Sequence, residues 1–211
     1  MRRLHVFSTL AVLVIVAGGV LAAWWDLDLR WRPHAIVHDQ AAIARSLAGS
    51  GWVSPHLSGP VLYVVAHRDC APCGAFEERE LEKLNAAGVD TRVIMVALAD
   101  KNGQARSGPV ERTTVAALWL DRDWGLLQRW LATPEGVWTA PGLVPADGDT
   151  ARTAVIAAGR QTVADLRPLL RRNGVRMAYP VLVWWTKGGA MHACSCRRAQ
   201  SWRRMERELG A

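Results

Sequence analysis

The sequence predicts an α/β domain, on three observations. An apolar run, 60–66, leads straight into Cys70-Ala71-Pro72-Cys73 and a charged amphipathic segment, so a buried strand feeds a helix. A second apolar run, 89–98, follows and completes a strand–helix–strand unit of the kind that forms a parallel pair. Near the C-terminus, 177–193 reads as a hairpin ahead of a basic terminal helix, 201–209.

At the N-terminus, Met1-Arg2-Arg3 precedes a nearly continuous apolar run from Val6 to Trp25, broken by Ser8, Thr9, Gly18 and Gly19. That is close to the ~20 residues a bilayer requires, and Trp24-Trp25 falls where an interfacial aromatic belt sits. Residues 1–25 are therefore read as a membrane anchor; a signal peptide cleaved near Ala22-Ala23 is the alternative, made less favourable by the adjacent tryptophans. The positive charge at Arg2-Arg3 places residues from about 26 onward outside the cytoplasm. In a bacterium this is a single-pass inner-membrane protein with its main domain in the periplasm, or a soluble periplasmic one if the signal is removed.

Residues 26–58 read as a juxtamembrane linker with a short helix over 38–47, stopped by Gly49-Ser50-Gly51. His34, His38 and His56 lie here without the spacing of a metal-ligand pair. The main domain takes 59–211. Val61, Leu62, Tyr63, Val64 and Val65 form its first strand. In the next helix Phe76, Leu81 and Leu84 supply the apolar face, and Glu77, Glu78 and Glu80 crowd the early turns, where the helix dipole favours acids. A Gly- and Ser-containing loop, 100–109, precedes a helix over 112–132 with Leu120, Trp124, Leu127 and Leu131 on one stripe. Residues 133–149 are irregular, and 150–172 are helical in two pieces because Pro168 starts or kinks a helix better than it continues one. Asn173-Gly174 suits the helix end. The stretch 109–172 is thus a helical insertion. The hairpin strands are 177–185, with Pro180 at the mouth, and 190–193, joined by Lys187-Gly188-Gly189.

The chemistry resides in the cysteines. Four in 211 residues are too few for a disulfide scaffold. A cysteine at a helix start meets unpaired backbone N–H groups and the positive end of the dipole, which stabilise the thiolate that attacks disulfides. Cys70, the exposed residue at the cap, is accordingly the nucleophile, and Cys73, one turn inside, resolves. The net charge of +7 is scattered, mostly over 160–207, with no basic stripe and interleaved aromatics; nucleic acid is not a partner. No cofactor is called for.

The order of strand, Cys70-Ala71-Pro72-Cys73 helix, strand, helical insertion and Tyr179-Pro180-led hairpin resembles the thioredoxin superfamily, most of all the catalytic domain of the DsbC and DsbG thiol:disulfide interchange proteins. The resemblance covers about 58–210. It implies that Pro180 is cis, that the backbone of Tyr179 is free to pair with a substrate chain, and that Tyr179, Pro180, Ala71 and Pro72 shape the substrate groove. It also exposes three departures. Val64 stands where related proteins carry a buried acid, six residues before the nucleophile. Pro72, which has neither N–H nor charge to offer the Cys70 thiolate, stands before the resolving cysteine and implies a reducing or intermediate couple. A separate dimerisation domain is missing, because 33–58 are too few residues to build one.

Cys194-Ser195-Cys196 follows the hairpin and is expected at the same end of the sheet. Three readings stay open for it: an auxiliary redox pair, an inert structural pair, or half of a four-thiolate zinc site. The expected function is a membrane-tethered periplasmic thiol:disulfide oxidoreductase of reductase or isomerase type, with protein thiols and disulfides as substrates and a redox partner in the inner membrane. The alternative is a zinc-binding or redox-inactive assembly module of an envelope complex.

Overall fold

The structure, a computed structural model, describes residues 14–25 and 31–211. The chain divides into an N-terminal unit ending at Arg32 and a unit formed by Pro33–Ala211. In the first, residues 14–25 are helical, and Val14, Ile15, Val16, Val20, Leu21 and Trp25 are more than half exposed. The start of the expected membrane span lies outside the described residues, and no described helix is long and apolar enough to cross a membrane.

The second unit is built on a five-stranded sheet: β1 (His34–Ala35), β2 (Val61–Ala66), β3 (Asp90–Met95), β4 (Val181–Trp185) and β5 (Met191–Cys194). Their spatial order is β1-β5-β4-β2-β3. Only β2 and β3 run parallel, Val61 opposite Asp90 and Ala66 opposite Met95; the other pairs are antiparallel. Leu62, Tyr63, Val64, Val65 and Ala66 are all buried, as expected of a central strand covered on both faces.

The helices are α1 (Gln40–Ala48), α2 (71–86), α3 (Pro109–Asp121), α4 (Trp124–Ala132), α5 (Thr150–Arg172) and α6 (Ala199–Leu209). Helix α2 runs Ala71–Phe76 as α-helix, Glu77–Leu81 as a π turn and Glu82–Ala86 as α-helix again. The extra residue in the π turn brings Phe76 and Leu81, five apart, to the same buried side as Leu84.

The structure revises four expectations. Residues 33–58, read as linker, belong to the second unit: His34 pairs with Ala193, α1 packs on α5, and Val53 bridges to Val93. The helix expected over 112–132 breaks at Arg122, which is left-handed at φ 52°; its guanidinium bonds the carbonyls of Trp52 and Ser50, and Asp123 caps α4 by accepting the Leu126 N–H at 3.0 Å. Helix α5 continues through Pro168, because Pro168 and Ala164, whose carbonyl loses its partner, both face solvent. Finally, β4 begins at Val181 rather than at 177; residues 177–180 form a loop.

Candidate active site

Strand β2 ends at Ala66, and four residues later Cys70 caps α2 with extended backbone, φ −144° and ψ 90°. Its Sγ accepts the Cys73 N–H at 3.2 Å, and its carbonyl accepts the N–H of Cys73 and of Gly74. Pro72 occupies the first turn, where a missing N–H costs no helical bond. Cys70 and Cys73 form a disulfide with Cα atoms 5.2 Å apart. Cys70 is less open than expected: 8% exposed, against 1% for Cys73. It remains the more accessible of the two.

Val65 pairs with Val181, so Pro180 comes opposite the end of β2. The Tyr179–Pro180 peptide is cis. The Tyr179 ring meets His67 edge-on, centroids 4.9 Å apart, which brings the loop before β4 to the segment leading into the cysteines. Burial raises the Tyr179 pKa; for His67, burial and then Arg106 lower it, opposed by Asp69. The expectation of a free Tyr179 backbone is corrected at one atom: its carbonyl accepts from Arg197 Nε at 3.4 Å.

Cys194 pairs with Leu182 near the start of β4, which puts the second pair at the same end of the sheet as the first. Cys194 and Cys196 are joined, Cα atoms 5.1 Å apart, and are 1% and 0% exposed. Between them, Ser195 Oγ donates to the Arg176 carbonyl and accepts the Ala178 N–H at 3.3 Å, so this turn holds the loop that carries Tyr179-Pro180. Among the described residues no three or more His, Cys, Asp or Glu are grouped to hold a metal.

Val64 is 1% exposed and apolar, so the inner position offers no carboxyl. Sequence reading missed a carboxyl one helical turn beyond Cys73: Glu77, whose buried Oε1 has no hydrogen-bond partner. Burial pushes its pKa from 4.5 up to about 7, against the pull of Arg68. The spacing from Cys73 to Glu77 was a signal in the sequence; Ser195 and Arg197 carried none.

A groove of about 1040 Å³ opens beside Cys70, between α2 and α4. A smaller cavity of about 400 Å³, lined by Pro60, Val61 and Trp185, lies at the opposite end of β2, away from the cysteines.

Several solved structures share this architecture. One is ScsC of Proteus mirabilis in a compact conformation, at TM-score 0.52 and 12% identity over 99% of this chain and 94% of that one. Another is BcfH of Salmonella enterica Typhimurium, at TM-score 0.50 and 13% identity over 98% and 92%. No family model and no curated protein sequence matches the chain. The likeness is one of fold: the chain has a thioredoxin-like fold.

Proposed function

We propose that this protein is an exported thiol:disulfide oxidoreductase of reductase or isomerase type, acting on protein disulfides through Cys70 and Cys73. The observation that carries the reading is Cys70 at the cap of α2, its sulfur accepting the Cys73 N–H and bonded to Cys73. The same helix-end donor that meets Sγ in the disulfide stabilises a thiolate when the pair is reduced. In the reducing direction the Cys70 thiolate attacks one sulfur of a substrate disulfide, and the other substrate sulfur leaves as thiolate. Cys73 then attacks Cys70, releasing the second substrate thiol and closing Cys70–Cys73; two electrons have passed to the substrate. Glu77, half-buried and with a pKa near neutrality, is the carboxyl that exchanges protons with this site in place of the absent inner acid.

Tyr179 and Pro180 with Ala71 and Pro72 form the edge along which the substrate docks. The burial of Cys194 and Cys196 favours a supporting role over exchange with an outside partner. The exposed apolar helix at 14–25 supports an inner-membrane tether, with the catalytic unit in the periplasm and a membrane partner recharging it.

The test is equilibration of purified protein in glutathione redox buffers, with alkylation of Cys70 and Cys73 read by mass. A reversible two-electron couple between about −270 and about −180 mV is expected. A couple near about −120 mV would make the protein an oxidant, and absence of reversible exchange would remove the redox reading.

A further inference from the structure

The groove beside Cys70 differs in charge from the rest of the chain. Asp69, Glu77, Glu78, Glu82 and Glu135 line it, in a protein of net charge +7. Asp69, Glu78, Glu82 and Glu135 are exposed, and none of the five forms an ion pair with another described side chain. The lining holds a single guanidinium, Arg68, which donates to the Thr133 carbonyl and lies 5.5 Å over the Trp130 ring; its pull reaches Glu77 but it forms no ion pair with any of the five. Between the acids the floor is apolar, with Leu81, Trp124 and Leu131. Glu111 on α3 senses the same negative field: its pKa is raised to about 7, by burial first, with Glu135 and Asp69 contributing.

Resting on the redox reading above, we infer that this groove is the binding site for a cationic, extended polypeptide segment: the part of a substrate protein that flanks the cysteine presented to Cys70. Unpaired carboxylates around an apolar floor match a chain that alternates Lys or Arg with apolar side chains, and they repel an acidic one. The helix sets the register. Glu78 and Glu82 lie eight and twelve residues beyond Cys70 along α2. At ~1.5 Å per helical residue they are ~12 and ~18 Å from the cap, which an extended chain spans in roughly four to six residues at ~3.3 Å each. The recognised basic residues therefore stand about four to six positions from the attacked cysteine.

The experiment uses the reduced full-length protein and two synthetic peptides. Each carries one cysteine activated as a thiopyridyl disulfide, with Lys in one and Glu in the other at four to six positions from it. Hydroxyethyl disulfide serves as a neutral small substrate. Cys70 attack expels thiopyridine from each peptide and 2-mercaptoethanol from hydroxyethyl disulfide, and release of the leaving thiol gives each rate. At low salt the Lys peptide is expected to react at least about tenfold faster than the Glu peptide. The ratio should fall to within about twofold at ~0.5 M salt and invert in a Glu82→Lys/Glu135→Lys variant. Equal rates for the two peptides, with the neutral disulfide still exchanging, would overturn the groove proposal and leave the redox reading standing. Failure of all three substrates would overturn both. A salt-sensitive dimer by sedimentation, abolished in the same variant, would put a second copy of this basic chain in the groove and overturn the inference of a substrate segment.

Discussion

Phe76 and Trp202 meet edge to face, with ring centroids 5.6 Å apart and planes at 75°. Phe76 lies three residues beyond Cys73 on α2, and the Trp202 indole donates to the Cys196 carbonyl at 2.9 Å. The two cysteine pairs are thus mechanically joined through one aromatic contact, both rings being almost fully buried. Truncation of Trp202 to Ala is expected to destabilise the fold by about 3–5 kcal/mol, and Trp202→Phe by distinctly less. Denaturant midpoints of the two variants check this; equal losses would deny the contact its role.

The carboxyl of Glu77 makes stability depend on pH with a defined sign. A folded pKa of about 7 against an ordinary 4.5 means that the folded state holds more protons between those values. Its contribution is most favourable below about pH 4.5 and is lost as pH rises to about 7. Glu77→Gln should therefore raise stability at pH 8 by about 1–2 kcal/mol, discounted for the part of the side chain that meets solvent, and change little at pH 4. Melting curves at the two pH values suffice. An offset independent of pH would show that the carboxyl is ordinary.

The second cysteine pair is expected to support the fold. Cys194→Ser/Cys196→Ser removes a very short loop constraint, so the loss of stability should be about 1–2 kcal/mol. The rate of Cys70 exchange with a neutral disulfide should stay within about threefold of the parent. Collapse of that rate would restore Cys194 and Cys196 to the electron path.

Asn173 ties the segment before α1 to the end of α5. Its Oδ1 accepts the N–H groups of Val37 and His38 at 2.9 Å each, and its Nδ2 donates to the carbonyls of His38 and Leu169. Asn173→Ala removes these part-buried hydrogen bonds, whose backbone groups water can reach at Val37 and His38, and should cost about 1–2 kcal/mol. Proteolysis should then cut first near residues 33–40; unchanged protection would show that β1 holds on its own.

Where local chemistry decides structure, the sequence was readable. The Val-rich run of β2, the helix after the cysteines and the Lys187-Gly188-Gly189 turn each follow from side chains within a few residues. What could not be read depends on partners distant in the chain. Arg122 breaks a helical stripe because Ser50 and Trp52 accept its guanidinium some seventy residues away. His34–Ala35 is a strand only because Ala193 and His192 offer an open edge. The candidate site divides in the same way. Cys70 and Cys73 announce themselves, whereas the acid-lined groove is made when α4 folds back beside α2. The run of Phe76, Leu81 and Leu84 did carry a hint: a gap of five is the spacing of a π turn, not of an α-helix.

The redox role of Cys70 is tested most directly by trapping. Cys73→Ser, expressed with its natural N-terminus and acid-quenched in the cell, keeps the attacking sulfur and removes the resolving one. We expect Cys70-linked mixed disulfides with other proteins to accumulate on non-reducing gels, to vanish with dithiothreitol, and to be absent from Cys70→Ser/Cys73→Ser. A clean monomer band in Cys73→Ser, identical to that of the double variant, would contradict the assignment of Cys70 as nucleophile.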